Sequence, residues 1–217
     1  MNQIQLKEVL GNIDIYLLDQ LMKGRIKEDM RILDAGCGYG RNAQFFISNN
    51  YDIWGVDRSK EAISILQRSL LDWNKSYDPK RFLVGELEKI PFPEAHFDFI
   101  ISSAVLHFAN DRAHFILLFE ELMRVLRPNG ILWFRMTAKH TLLDHAKQIE
   151  EDVYLLEDGS TRYLLDLSVL NELVQKHQLQ FVDPFKTVNV SNLRTMSTVV
   201  LYKGGNPNNL VTDFNEK

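Results

Sequence analysis

The stretch Ile32-Leu33-Asp34-Ala35-Gly36-Cys37-Gly38-Tyr39-Gly40 decides the reading of this chain. Met30 to Asp34 is a short apolar strand, and it breaks into a turn with glycine at every second position. Only glycine adopts positive φ freely, and without a Cβ it lets a ligand approach the backbone. A helix expected from about Arg41, with Phe45 and Phe46 inward, would offer free amides at its start. Outward from this turn the pattern repeats. Tyr51–Asp57 reads as a strand, Lys60–Trp73 as an amphipathic helix, Arg81–Val84 as a third strand and Phe97–Ser102 as a fourth. Asp111 caps a helix carrying Phe115, Leu118, Phe119, Leu122 and Val125, and Pro128-Asn129-Gly130 turns into a fifth strand, Ile131–Arg135. Strands alternating with helices make βαβ units and a parallel sheet.

The rhythm changes on either side. Before the glycine turn a polar start leads into a helix carrying Ile13, Tyr16, Leu17, Leu18 and Leu21, ended by Gly24. After Thr137, Lys139–Ile149 reads as helix, and Tyr154–Leu156 faces Arg162–Leu165 in a hairpin. A helix at Asp166–Lys176 precedes strands near Phe181–Val190 and Met196–Tyr202, too close for a crossover and so antiparallel. The expected fold is α/β: a seven-stranded mainly parallel sheet with helices on both faces and an antiparallel last strand. Residues 1–203 make one domain, with 138–165 as an inserted lid or acceptor wall and 204–217 as a flexible tail.

Composition narrows the functional classes. The chain has 217 residues, a net charge of −4 and 45% hydrophobic residues, ordinary for a globular protein and poor for bulk gripping of nucleic acid. One cysteine, Cys37, excludes an intrachain disulfide framework and a cysteine-rich zinc site. Without an apolar run of 18 residues or a signal-peptide core, the expectation is a cytoplasmic protein with no membrane partner.

Two familiar glycine loops fit poorly. A dinucleotide site wants G-x-G-x-x-G, and here Gly40 comes one residue early; a P-loop needs a Gly-Lys-Ser/Thr that is missing. Asp34, two residues before Gly36, would repel a pyrophosphate and attract an ammonium or sulfonium. Asp57 ends the second strand and suits ribose hydroxyls. Glu86 suits an adenine amino group, with Leu87 over the ring. A ligand with adenine, ribose and ammonium but no phosphate is S-adenosylmethionine.

The same residues resemble the class I S-adenosylmethionine-dependent methyltransferases, which have a Rossmann-like fold. Residues 32–40 resemble the family's first motif, Gly55-Val56-Asp57-Arg58-Ser59 its second acidic strand end, and 85–92 its adenine loop. Residues 97–107 resemble the fourth strand and the segment beyond, and Leu126-Arg127-Pro128-Asn129-Gly130 the turn into the fifth. The resemblance implies that Gly36, Gly38 and Gly40 shape the methionine pocket with Asp34 at its ammonium, and that Ser103 lines that side. Asp57 would hold ribose, with Arg58, Glu86 and Leu87 at adenine. Arg41 and Tyr16 are candidates for the methionine carboxylate.

The acceptor is less legible. His107, beyond the fourth strand, is the candidate catalytic base, against a packing histidine. Arg135, Arg162 and Arg194, with Tyr16, are candidates for substrate binding; arginines converging there would select an anion, unless each pairs with a local acid such as Glu157 or Asp166. Ser102-Ser103-Ala104-Val105 stands where many amino-group methylators of nucleic acid and protein carry an Asn-Pro-Pro-Tyr-like clamp, which favours a small-molecule acceptor. Lys75, Lys80, Arg81 and Lys89 make no evident basic groove, and His96, His114 and His140 no metal spacing. A non-catalytic binder of the same cofactor, a methyltransferase acting on a macromolecule and a nucleotide-dependent oxidoreductase stay as alternatives.

Overall fold

The computed structural model describes residues 3–139, 146–190 and 194–204. Five parallel strands form its centre: β1 (Arg31–Ala35), β2 (Asp52–Asp57), β3 (Phe82–Val84), β4 (Phe97–Ser103) and β5 (Leu126–Met136). The helices are α1 (Gln3–Leu10), α2 (Ile15–Met22), α3 (Ala43–Ser48), α4 (Lys60–Trp73), α5 (Arg112–Val125) and α6 (Leu167–Lys176). A small antiparallel sheet comprises β6 (Lys147–Glu150), β7 (Val153–Leu155) and β8 (Thr161–Tyr163), and the chain returns through β9 (Leu179–Phe181), β10 (Lys186–Val190) and β11 (Arg194–Lys203).

The large sheet runs β10-β11-β5-β4-β1-β2-β3, with β9 also on β11. Strand β11 is antiparallel to β10, as the short link between them predicts, and is also antiparallel to β5. The β9 and β10 segments pair with successive parts of β11, so they are one edge strand broken around Pro184, which has no amide to give the ladder. Counting them as one gives the expected seven strands.

Side-chain alternation divides the core. Leu33, Ile100, Leu132 and Phe134 face α5 and α6, whereas Ile32, Phe99, Ile101 and Trp133 face α2, α3 and α4. The chain crosses from β1–β2–β3 to the other side of β1 at β4. In an open α/β sheet a ligand crevice forms beyond the carboxyl ends of strands at such a switch.

Two elements depart from expectation. The polar start carries α1, two turns long, whose Leu6, Val9 and Leu10 make too short a stripe to announce it. Lys147–Ile149, the end of the helix expected over Lys139–Ile149, lies in strand β6; the turn through Asp152, at φ 64°, folds it onto β7, and that pairing overrides the helical spacing. Residues 140–145 of that expected helix and the tail from 205 lie outside the described residues. The 154–165 hairpin forms as β7 and β8. Among the described residues no helix is long and apolar enough to cross a membrane.

Candidate functional site

At the end of β1 the turn needs its glycines for different reasons. Gly36 has φ 83°, and a Cβ there would lie 2.3 Å from Val105 Cγ2. Gly40 has the same φ and packs against Leu66 and Trp73 of α4, so it shapes the seat of the helix rather than a ligand wall. Gly38, at φ 52°, would place a Cβ no nearer than 4.0 Å to Asp57 Oδ2, and its amide donates to that oxygen at 2.8 Å. Asp57 Oδ1 accepts from Ser59 N at 2.8 Å, and Ser59 in turn caps α4. Two amides therefore fix the carboxylate that ends β2, without a side chain taking part.

Asp34 is buried at 2% exposure. Burial pushes its carboxyl up to about 7; Arg41 opposes the shift, Asp57 adds to it, and no hydrogen bond offsets it. A cleft of about 270 Å³ opens beside this turn, lined among others by Gly36, Asp57, Arg58, Glu86, Leu87, Ser103, Val105 and Phe108. Glu88 also lines it, held at 2.8 Å by His114 Nε2. His114 Nδ1 faces the amide of Asn110 at 3.0 Å, which assigns the ring proton to Nε2. Burial raises the Glu88 carboxyl, but bonds from its own backbone and from His114 outweigh this and lower it.

On the α2 face of β4 and β5, Ser103 pairs in register with Arg135. Arg135 Nη1 meets Asp14 Oδ2 at 2.7 Å, and its guanidinium lies 4.9 Å from the Tyr16 ring centre. Arg41 Nη2 donates to Ser103 Oγ at 3.0 Å. Ala104, which lines the cleft, takes φ 60°, a strained conformation for a residue with a Cβ, and its amide donates to Arg135 O at 2.7 Å.

Six of the cofactor candidates thus border one cleft: Gly36, Asp57, Arg58, Glu86, Leu87 and Ser103. Asp34, Gly38 and Gly40 stand behind it. The three arginines are not brought together by any described contact. Arg135 is engaged by buried Asp14, and Arg162 lies over Phe108 at 4.6 Å. Asp166, considered as a local partner for them, is taken by Lys139 at 2.9 Å. Arg194 begins β11, and its side chain lies outside the described residues. His107 is buried at 6% exposure, edge-on to Phe108, and is not among the lining side chains. Asp14 and Phe108 are not singled out by the sequence, which offers Glu88 only as a competitor of Glu86 and His114 only as a histidine without metal spacing. Asp14 had a readable signal, an N-cap before an apolar helix, but not its partner on β5.

Residues 33–134 match the family model of the methyltransferase domain. A solved SAM-dependent methyltransferase from Methanosarcina mazei shares the fold, with TM-score 0.71 and 22% identity over 86% of this chain and 98% of that one. The chain carries a methyltransferase domain. Two curated relatives agree. The putative methyltransferase YqeM of Bacillus subtilis is 25% identical over 160 residues, 70% of this chain and 62% of that protein. A malonyl-[acyl-carrier protein] O-methyltransferase of Serratia marcescens is 23% identical over 168 residues, 76% of this chain and 60% of that protein. The chain therefore spans less than two thirds of either relative's length.

S-adenosylmethionine is the cofactor of this methyltransferase domain, and the residues present suit it. A buried carboxylate without a hydrogen bond is a poor neighbour for a pyrophosphate and a good one for an ammonium.

Proposed function

We propose that this methyltransferase acts on a small, carboxylate-bearing acceptor and transfers the methyl group to oxygen. The observation that carries the reading is Arg135. Its register partner Ser103 borders the cleft, its guanidinium lies over Tyr16 and stays partly exposed, and Asp14 engages its Nη1 alone. A guanidinium with donors to spare beside a methyl-transfer site recognises a carboxylate by charge and shape. Arg162, over Phe108 at the cleft wall, adds a second cation on the side of the small sheet. Relatives named for O-methylation of a malonyl group, which ends in a carboxylate, support the same acceptor chemistry.

In this reading Asp34 receives the cofactor's ammonium, Asp57 its ribose hydroxyls, and Arg58, Glu86 and Leu87 its adenine. Arg41 and Ser103 face its carboxylate, while the turn at Gly36 and Gly38 lets it come close and Gly40 seats the helix behind it. The bound cofactor supplies an electrophilic methyl on a sulfonium whose leaving group is a neutral thioether. The protein's share is to align the acceptor oxygen and exclude water. A carboxylate has no proton to lose at neutral pH, so His107 serves as base only for an acceptor that carries one. Packing behind Phe108 is its role here.

The test uses purified protein, methyl-labelled S-adenosylmethionine, a malonyl thioester, short dicarboxylates and amines. Label is expected in an alkali-labile ester on a carboxylate, and none on a malonyl thioester already capped as its methyl ester. Label in amines or alkali-stable products, with carboxylates unlabelled, would reject the reading.

A further inference from the structure

One buried carboxylate at the start of α2 joins three separate segments. Asp14 is 3% exposed, and its Oδ1 caps α2 by accepting from Tyr16 N at 3.0 Å. Its Oδ2 accepts from Arg135 Nη1 at 2.7 Å and lies 3.5 Å from Arg41 Nη2. Its own amide donates to Asn42 Oδ1 at 3.0 Å. Arg41 and Asn42 follow the glycine turn, and Arg135 lies near the end of β5.

The charges in this cluster do not balance. Two guanidinium groups share the Asp14 carboxylate, and the other acid that Arg41 feels, Asp34, has its carboxyl pushed up to about 7 by burial, so it offsets the second charge only in part near neutral pH. A structural tether would need a single arginine. Here Arg41 keeps half its surface exposed and holds Ser103 Oγ at the cleft, while Arg135 keeps a fifth of its side chain exposed beside Tyr16.

We propose that Asp14 is a positioning residue. Its carboxylate aims Arg41 at the amino-acid end of the cofactor and Arg135 at the acceptor carboxylate, and touches neither ligand. This rests on the functional reading above, and it adds the device that sets both arginines from one point.

The test compares two ligands by calorimetry, S-adenosylhomocysteine and 5′-methylthioadenosine. The second keeps the adenosyl thioether and lacks the amino-acid end. The variant is Asp14→Asn, because asparagine caps a helix as well as aspartate and removes only the charge. S-adenosylhomocysteine is expected to bind about tenfold more weakly, the loss of one well-aimed charge-assisted bond, with methylthioadenosine changed less than about twofold. Equal losses for both ligands would overturn the proposal, since a loosened α2 would act on both. No change in either would overturn it as well. Tighter binding of S-adenosylhomocysteine would also do so, because Asp14 would then compete for Arg41 instead of aiming it. Wild-type protein that binds neither ligand would reject the cofactor roles themselves, a result distinct from the other three. Should Asp14→Asn melt early, Arg41→Gln, at an exposed side chain, must show the same split between the ligands.

Discussion

The side of this cleft proposed for the adenosyl group and the side proposed for the acceptor are held together by different kinds of contact. On the adenosyl side, β1, β2 and β3 lie next to one another, and backbone amides make the decisive bonds: Gly38 and Ser59 to Asp57. On the acceptor side, side chains do so over long stretches of chain. Asp14 meets Arg135 across 121 residues, and the small sheet is fastened through Asp152 by Arg112 at 2.9 Å and by Lys139. Backbone bonds constrain a site to one ligand geometry. Side-chain pairs can be exchanged while the sheet below stays intact, so acceptor choice can vary on a constant cofactor seat.

The sharpest way to break that separation is to substitute one residue from each side. Asp57→Ala should weaken S-adenosylhomocysteine binding by on the order of 100-fold or more, since it removes a charged acceptor and frees the Gly38 and Ser59 amides. Arg135→Gln should leave that affinity within about threefold, because the proposed reading assigns the residue to the acceptor. Calorimetry on both variants decides the point. If Arg135→Gln matches the loss in Asp57→Ala, the two sides are one unit and the comparison fails.

The next effect in size belongs to Asp34. Its carboxyl, raised to about 7 by burial, is protonated in acid, and an ammonium prefers the carboxylate. Cofactor affinity should therefore fall about tenfold per pH unit below pH 7 and level off above it. In Asp34→Asn the slope should vanish. Stability runs the other way. The folded free protein holds a proton that the unfolded chain has lost between about pH 4 and 7, so stability falls as pH rises through that window. Above pH 7 the charged, buried carboxylate costs as much as ~4 kcal/mol, and Asp34→Asn should then raise the melting temperature of ligand-free protein while binding worsens. An unchanged melting temperature at pH 8, with the pH slope of binding intact, would remove Asp34 from the site.

The same division explains what the sequence made legible. The adenosyl side was readable because each of its residues sits at a strand end with a fixed offset from a glycine or a turn: Asp34 before Gly36, Asp57 closing β2, Glu86 after β3. Backbone geometry sets such positions, and spacing reports it. The capping role of Asp14 is equally local, but its ion pair depends on how α2 lies across β5, which no spacing encodes. Arg162 was placed correctly in a hairpin, yet its seat on Phe108 depends on how the small sheet docks. Lys147–Ile149 is strand where helix is expected for a related reason. A short amphipathic run is ambiguous between helix and strand, and a turn through Asp152 with a partner in β7 settled it.

The smallest expected effect concerns His107, and it sharpens the comparison from the acceptor side. General-base catalysis contributes roughly 10²–10⁴ to rate, so an acceptor hydroxyl or amine that must lose a proton would make His107→Ala nearly inactive. A carboxylate acceptor makes no such demand. Turnover of a malonyl thioester by His107→Ala should then stay within about threefold of wild type, with kcat flat from about pH 6.5 to 8.5 in both proteins. Removing a buried ring leaves a cavity beside Phe108, so the melting temperature should drop, by the equivalent of about 1–3 kcal/mol. Loss of stability without loss of turnover would assign His107 to packing and leave acceptor recognition to the arginines. Loss of turnover, with a wild-type limb near neutral pH that disappears in the variant, would make it a base and imply that the reacting atom of the acceptor carries a proton.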